Sequence, residues 1–198
     1  MSTPLSEEIA AAAARLVVEE GMEYGPAKRK AARSLGRNAA RSADLPGNGV
    51  VEEEVRSYLE MFHADTQPVE LAALREVARE WMECLAAFRP HLTGAVWRGT
   101  ATRLNSVHLQ LFCDDPKEAE IALINLGVAY DAASMVGPRG DEVPVLSLTR
   151  PNRRLGEPVT VHLSVLDHDD LRGALRPDAR GLTLRGDLGA LRALMEQA

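Results

Sequence analysis

The periodicity of the apolar residues changes once, near Pro90, and that change constrains the fold more than any other feature of the chain. Before it, apolar side chains recur every three or four residues, the spacing that gathers them on one face of an α-helix. Beyond it they come in short runs of β-type residues broken by glycine, proline and asparagine, as in strands joined by turns. The pattern predicts an α+β chain in which N-terminal helices precede a small mixed β-sheet flanked by helices. It divides the chain into an N-terminal helical region, 1–64, and an α/β domain, 65–198, with the long helix from Thr66 opening the second part.

Ile9, Ala12, Ala13, Leu16 and Val17 mark a first helix over Ser6 to Glu20, which Gly21 stops. Pro26 opens a second, Ala27 to Leu35, ended by Gly36. A cluster of turn formers from Ser42 to Gly49 then separates it from a third, Val51 to Phe62. The strongest helical stripe is Leu71, Leu74, Ala78, Trp81, Leu85 and Phe88, which predicts a helix over Thr66 to Phe88. Strands are expected at Val107 to Cys113, Val128 to Ala133, Val145 to Thr149 and Val159 to Leu166, and a fifth at Leu92 to Trp97. Asp115 and Pro116 begin a helix that Gly127 terminates, Gly137 to Asp141 reads as a hairpin tip, and helices over Asp169 to Leu175 and Asp187 to Gln197 close the chain.

Across 198 residues the net charge is -6, which argues against a surface wholly devoted to nucleic acid and leaves room for a local basic patch. That patch is the run Lys28, Arg29, Lys30, Arg33, Arg37 and Arg41, uninterrupted by any acidic residue between Gly25 and Ala43. Arg29, Arg33 and Arg37 recur every fourth residue, so they are candidate contacts to nucleic-acid phosphates. No apolar run approaches the roughly 20 residues that cross a bilayer, and the first residues lack the order of a signal peptide, so a cytoplasmic protein without a membrane partner is expected. Cys84 and Cys113 lie in apolar patterns and read as reduced core thiols. Neither a phosphate loop, nor a dinucleotide-binding glycine turn after a strand, nor a serine-hydrolase elbow is present.

The segment Gly94-Ala95-Val96-Trp97-Arg98-Gly99-Thr100-Ala101-Thr102-Arg103-Leu104-Asn105-Ser106-Val107-His108-Leu109 resembles the signature of the DNA polymerase β-like nucleotidyltransferase superfamily, in particular small bacterial members with a degenerate metal motif. In that signature a Gly-Ser pair opens a helix, an Arg-Gly-Thr-Ala-like stretch follows, and a Ser-Asp-x-Asp-Leu run begins the next strand. The resemblance spans roughly Thr66 to Leu166 and implies a nucleotidyltransferase-like fold. It also implies a nucleotide site that includes Gly94, Ala95, Arg98, Gly99, Thr100, Ser106, His108, Gln110 and His162. Yet Ala95 stands in the place of the serine, Ser106 and His108 in the places of the two aspartates, and His162 where a third carboxylate is sought. Magnesium prefers hard anionic oxygens, so Mg is not expected at these positions, and the cofactor is otherwise unassigned.

Alternation within the strands leads to the same residues. On Val107 to Phe112 the apolar set is Val107, Leu109 and Leu111, which leaves His108 and Gln110 on the other face; on Val159 to Val165, Thr160, His162 and Ser164 are left. Together they form a neutral hydrogen-bonding floor suited to a nucleotide or a sugar, or an ordinary solvent-facing side of the sheet. Two imidazoles also suit a transition metal, but spacing supplies no third ligand, so no metal site is assigned. Asp114, Asp115 and Asp167 precede helices, where carboxylates cap amides.

The leading expectation is a nucleotidyltransferase-fold protein that binds a nucleotide or nucleic acid, RNA included, without conventional two-magnesium catalysis. One alternative is an active nucleotidyltransferase whose displaced acids, Asp114, Asp115 or Asp167, replace the missing pair. Another is a helical module that binds a second protein. No catalytic residue is assigned.

Overall fold

Alanine decides how the first helices pack. The computed structural model describes residues 4–36, 45–137, 140–171, 177, 181 and 183–197. In it, α1 (Pro4–Glu20), α2 (Tyr24–Ser34) and α3 (Asn48–Phe62) share one core. Ala10, Ala13 and Ala14 of α1 and Ala27, Ala31 and Ala32 of α2 are buried, with Ile9, Val17, Val51, Val55 and Leu59 filling the remaining space. Small side chains let helix backbones approach closely, and alanine forgoes no rotamer freedom in a helix. At the rim, Tyr58 donates its hydroxyl to Glu19 Oε1 at 2.8 Å.

The chain divides into two compact units. The first comprises Met1–Val69 and Thr100–Asn105; the second comprises Glu70–Gly99 and Ser106–Ala198. Within the first, Gln67 Nε2 donates to the Ala101 carbonyl at 3.0 Å, and Asn105 Oδ1 accepts from the Thr102 amide at 2.8 Å. These bonds hold the 100–105 segment against its own unit and close it into a turn.

The second unit is built on a six-stranded mixed sheet. Its strands are β1 (His91–Thr93), β2 (Val107–Phe112), β3 (Asp131–Val136), β4 (Glu142–Pro151), β5 (Pro158–Leu166) and β6 (Arg185–Gly186), in the spatial order β3-β4-β5-β2-β1-β6. The central pair β2 and β5 is parallel and the other pairs are antiparallel. Val107, Leu109, Leu111, Val161 and Leu163 are fully buried on one face, each contributing about 1.5–3 kcal/mol of transfer free energy. On this face Arg150 of β4 lies over the Trp81 ring of α4 (Gln67–Cys84), at 5.2 Å from its centroid. The remaining helices are α5 (Gly94–Arg98), α6 (Pro116–Asn125) and α7 (Leu188–Glu196). Among the described residues the protein is thus α+β, with seven α-helices and six strands.

Several local expectations are corrected. The helix predicted over Thr66 to Phe88 ends at Cys84; a short 3-10 turn covers Ala86–Phe88, and Arg89 turns left-handed at φ 47° before Pro90. The strand expected over Leu92 to Trp97 yields to α5 after Thr93, because Gly94 at φ 73° turns the chain out of the sheet. The strand expected at Val128 to Ala133 instead runs from Asp131 to Val136. Its first residues are consumed by the end of α6: Gly127, at φ 66°, donates to the Ile124 carbonyl, and Val128 donates to that of Leu123, the paired bonds of a Schellman cap. Cys84 is exposed rather than in the core, whereas Cys113 is buried. In place of the start of the helix expected over Asp169 to Leu175, a 3-10 turn occupies His168–Leu171, and 172–176 lie outside the described residues. Pro138 and Arg139 of the expected hairpin tip also lie outside them, as do Arg37 and Arg41.

Candidate functional site

The face of the sheet opposite its apolar side is a row of polar residues in register. Asp131 pairs with Ser147, Ser147 with His162, His162 with His108, His108 with Thr93, and Thr93 with Arg185. One rung therefore crosses all six strands. Strands lie about 4.8 Å apart, so neighbours on a rung meet side chain to side chain. A second rung places Gln110 between Ser164 and His91.

At the centre, the His108 and His162 rings stack with centroids 5.0 Å apart and planes inclined at 28°. Ser147 Oγ lies 2.8 Å from His162 Nδ1, within hydrogen-bond distance. Both histidines and Ser147 are half-buried. Gly94 closes in on the row from the start of α5: a Cβ added there would meet His108 Cδ2 at 3.7 Å.

Towards the C-terminal ends of β2 and β5 the same face turns apolar, with Phe112, Leu166 and Val143 packed against Leu171. Arg185 bridges the two characters. Its guanidinium sits 4.8 Å over the Phe112 ring, donates to Gln110 Oε1 at 2.9 Å, and donates to the Asp170 and Leu171 carbonyls at 2.9 and 3.0 Å. Only 5% exposed, this arginine has its pKa pushed down by burial, an effect that Asp170 partly opposes. Burial likewise pushes the His91 imidazole down, and its hydrogen-bond contact with the Arg89 carbonyl pulls the other way. Desolvation disfavours the charged form of either side chain.

Of the residues singled out from sequence, the fold brings His108, Gln110 and His162 together on one face of β2 and β5, and sets Gly94 against His108. Ala95 and Arg98 lie in α5, Gly99 caps that helix at φ 79°, and Ser106 directly precedes β2. Thr100 belongs to the first unit, where it is buried. Its Oγ1 has no hydrogen-bond partner among the described residues. Arg29 and Arg33 are exposed on α2, also in the first unit, and Arg37 lies outside the described residues.

The displaced acids have structural work. Asp115 Oδ1 accepts from the Lys117 amide at 3.0 Å to cap α6, and Asp167 Oδ1 accepts from the Asp169 amide at 2.8 Å. Asp114 is exposed. Among the described residues no group of three or more His, Cys, Asp or Glu side chains could hold a metal ion.

Sequence reasoning missed Ser147, Thr93 and Arg185. The alternation of Leu146 and Leu148 with Ser147 and Thr149 did signal a polar side on that strand. What it lacked was the neighbour, because the register that sets Ser147 beside His162 joins two strands. Arg185 had no signal, since a two-residue strand has no period.

No protein-family model matches the chain, and no curated protein matches it. Among solved structures it is similar to the Cid1 poly(U) polymerase with MgGTP bound, at 12% identity and a TM-score of 0.35 over 51% of this chain and 33% of that one. It is also similar to Cid1 in complex with the UTP analogue UMPNPP, at 14% identity and a TM-score of 0.34 over 51% and 31% of the respective chains. The chain thus spans about a third of the length of these structures. At such scores the likeness carries no functional weight.

Proposed function

We propose that the polar face of the sheet binds a nucleotide without nucleotidyl transfer by a two-magnesium mechanism. The observation that carries this reading is the stacked pair His108 and His162 at one register of the central parallel strands, flanked by Ser147 and Thr93. Imidazole and hydroxyl groups in a row offer both donors and acceptors to a base edge or a ribose, and a sheet holds them with little freedom to lose on binding. The positions for which the family resemblance implies aspartates carry Ser106, His108 and His162. Neutral imidazole and hydroxyl groups do not fit magnesium, which takes hard anionic oxygens, and no catalytic step is assigned through the ion.

Isothermal titration with ATP, UTP and their nucleosides, in the presence of chelator, tests the reading. Binding that weakens about tenfold in His108→Ala, the ~1.4 kcal/mol of one lost hydrogen-bonding group, is the expected result. Absence of binding by every nucleotide and nucleoside would overturn it.

A second reading, RNA contact through the first unit, is favoured by α2. There Lys28 donates to the Pro46 carbonyl and to Asn48 Oδ1, and Lys30 pairs with Glu20. Arg29 and Arg33, one helical turn apart and exposed, make no ion pair among the described residues. Two phosphate contacts to a single strand would steepen the salt dependence of binding by roughly 1.4 in log–log slope. Loss of that increment in the Arg29→Glu, Arg33→Glu double variant is the expected outcome, and an unchanged slope refutes the contact.

A further inference from the structure

Ser147 and His162 bring a hydroxyl and an imidazole into contact. The hydroxyl lies 2.8 Å from imidazole Nδ1, both side chains are half-buried, and both stand on strands rather than loops. A serine hydroxyl is a weak nucleophile until an adjacent base receives its proton, and the first geometric requirement is a hydrogen bond of about this length. The second requirement is a base held in one orientation. The His108 ring, stacked on that of His162 at 5.0 Å, and the strand pairing on both sides of β5 supply it.

We propose that Ser147 and His162 form an acyl-transfer dyad that hydrolyses small carboxylic esters. Ser147 Oγ attacks the ester carbonyl carbon and passes its proton to His162 Nδ1, while the carbonyl π pair moves onto oxygen. Collapse of that oxyanion breaks the bond to the alkoxy group, which leaves as the alcohol with the proton from His162. Water, deprotonated by the same nitrogen, then attacks the acyl-Ser147 ester, and the carboxylic acid departs with the serine restored. His108 is a positioning residue for the base.

Charge narrows the substrate. Asp131, exposed and paired in register with Ser147, repels an anion at the nucleophile, so neutral or cationic esters are expected over anionic ones. This activity does not rest on the nucleotide reading, because the dyad is complete in Ser147 and His162; a nucleotide bound over the same rung would compete with the ester.

The test is covalent labelling of the full chain with a fluorophosphonate probe, read by intact mass and peptide mapping, alongside turnover of p-nitrophenyl acetate. A single adduct on Ser147 is expected, absent in Ser147→Ala. His162→Gln retains a hydrogen-bonding side chain but no base, so circular dichroism should be unchanged while labelling slows at least tenfold. In the unaltered protein the labelling rate should rise with pH; in His162→Gln that rise should vanish. Labelling elsewhere, no labelling, or equal rates in His162→Gln would overturn the dyad. A thermal shift with nucleotides, measured separately, reports on the nucleotide reading alone.

Discussion

The two units solve packing in opposite ways. The helical unit buries alanines along α1 and α2 and draws its core from elements adjacent in sequence. The sheet unit buries Leu109, Leu111, Val161 and Leu163 on strands whose central partners, β2 and β5, are separated by α6, β3 and β4. An alanine seam has no volume to give up and no room to take more. A leucine-lined sheet has much to lose from truncation. The contrast also bears on function: a crossover connection between parallel strands brings His108 and His162 side by side, something local helix pairing cannot do for residues so far apart.

The largest expected effect tests the sheet. Leu163→Ala, at a fully buried position of β5, should cost about 3 kcal/mol in urea unfolding through lost burial and the cavity left behind. The helical unit should fail in the other direction, with Ala13→Leu costing about 2 kcal/mol by overpacking. Were Ala13→Leu neutral in the same measurement, the tight alanine seam would be wrong. Next comes α7, capped by Asp187 Oδ1 accepting from the Ala190 amide at 2.8 Å, where Asp187→Ala should lower stability by about 1 kcal/mol.

The smallest effect separates the units by pH. The Tyr58 hydroxyl, with help from His63, holds the exposed Glu19 carboxyl below its ordinary range. A carboxyl depressed in the folded state stabilises the fold above its unfolded pKa, and that contribution fades as pH falls through the lower, folded value. Melting temperatures recorded from neutral to acidic pH should therefore fall slightly more steeply in the unaltered protein than in Tyr58→Phe. Parallel curves would show that the Glu19 contact contributes nothing.

Much of this is legible in the sequence. The three N-terminal helices follow from apolar spacing, and Asp115 and Asp187 sit where capping chemistry places them. The polar side of β2 and β5 follows from alternation. Where expectation missed, a longer-range demand had taken over: Val128 has strand character yet completes the cap of α6. Arg185 and Gly186 pair with β1 because Trp97, which donates to the Thr183 carbonyl at 2.8 Å, packs against the Cα of Gly186.

Helix periods, caps and strand faces arise between residues a few positions apart, so the order of residues sufficed to place them. The partners on the polar face lie much farther apart along the chain: Ser147 meets His162 across 15 positions and Arg185 meets Gln110 across 75. Their meeting depends on strand order and register, which are set by how the buried face closes over its neighbours. The histidines' polar side could thus be read from the chain alone, whereas the serine beside His162 emerged only once the sheet was assembled.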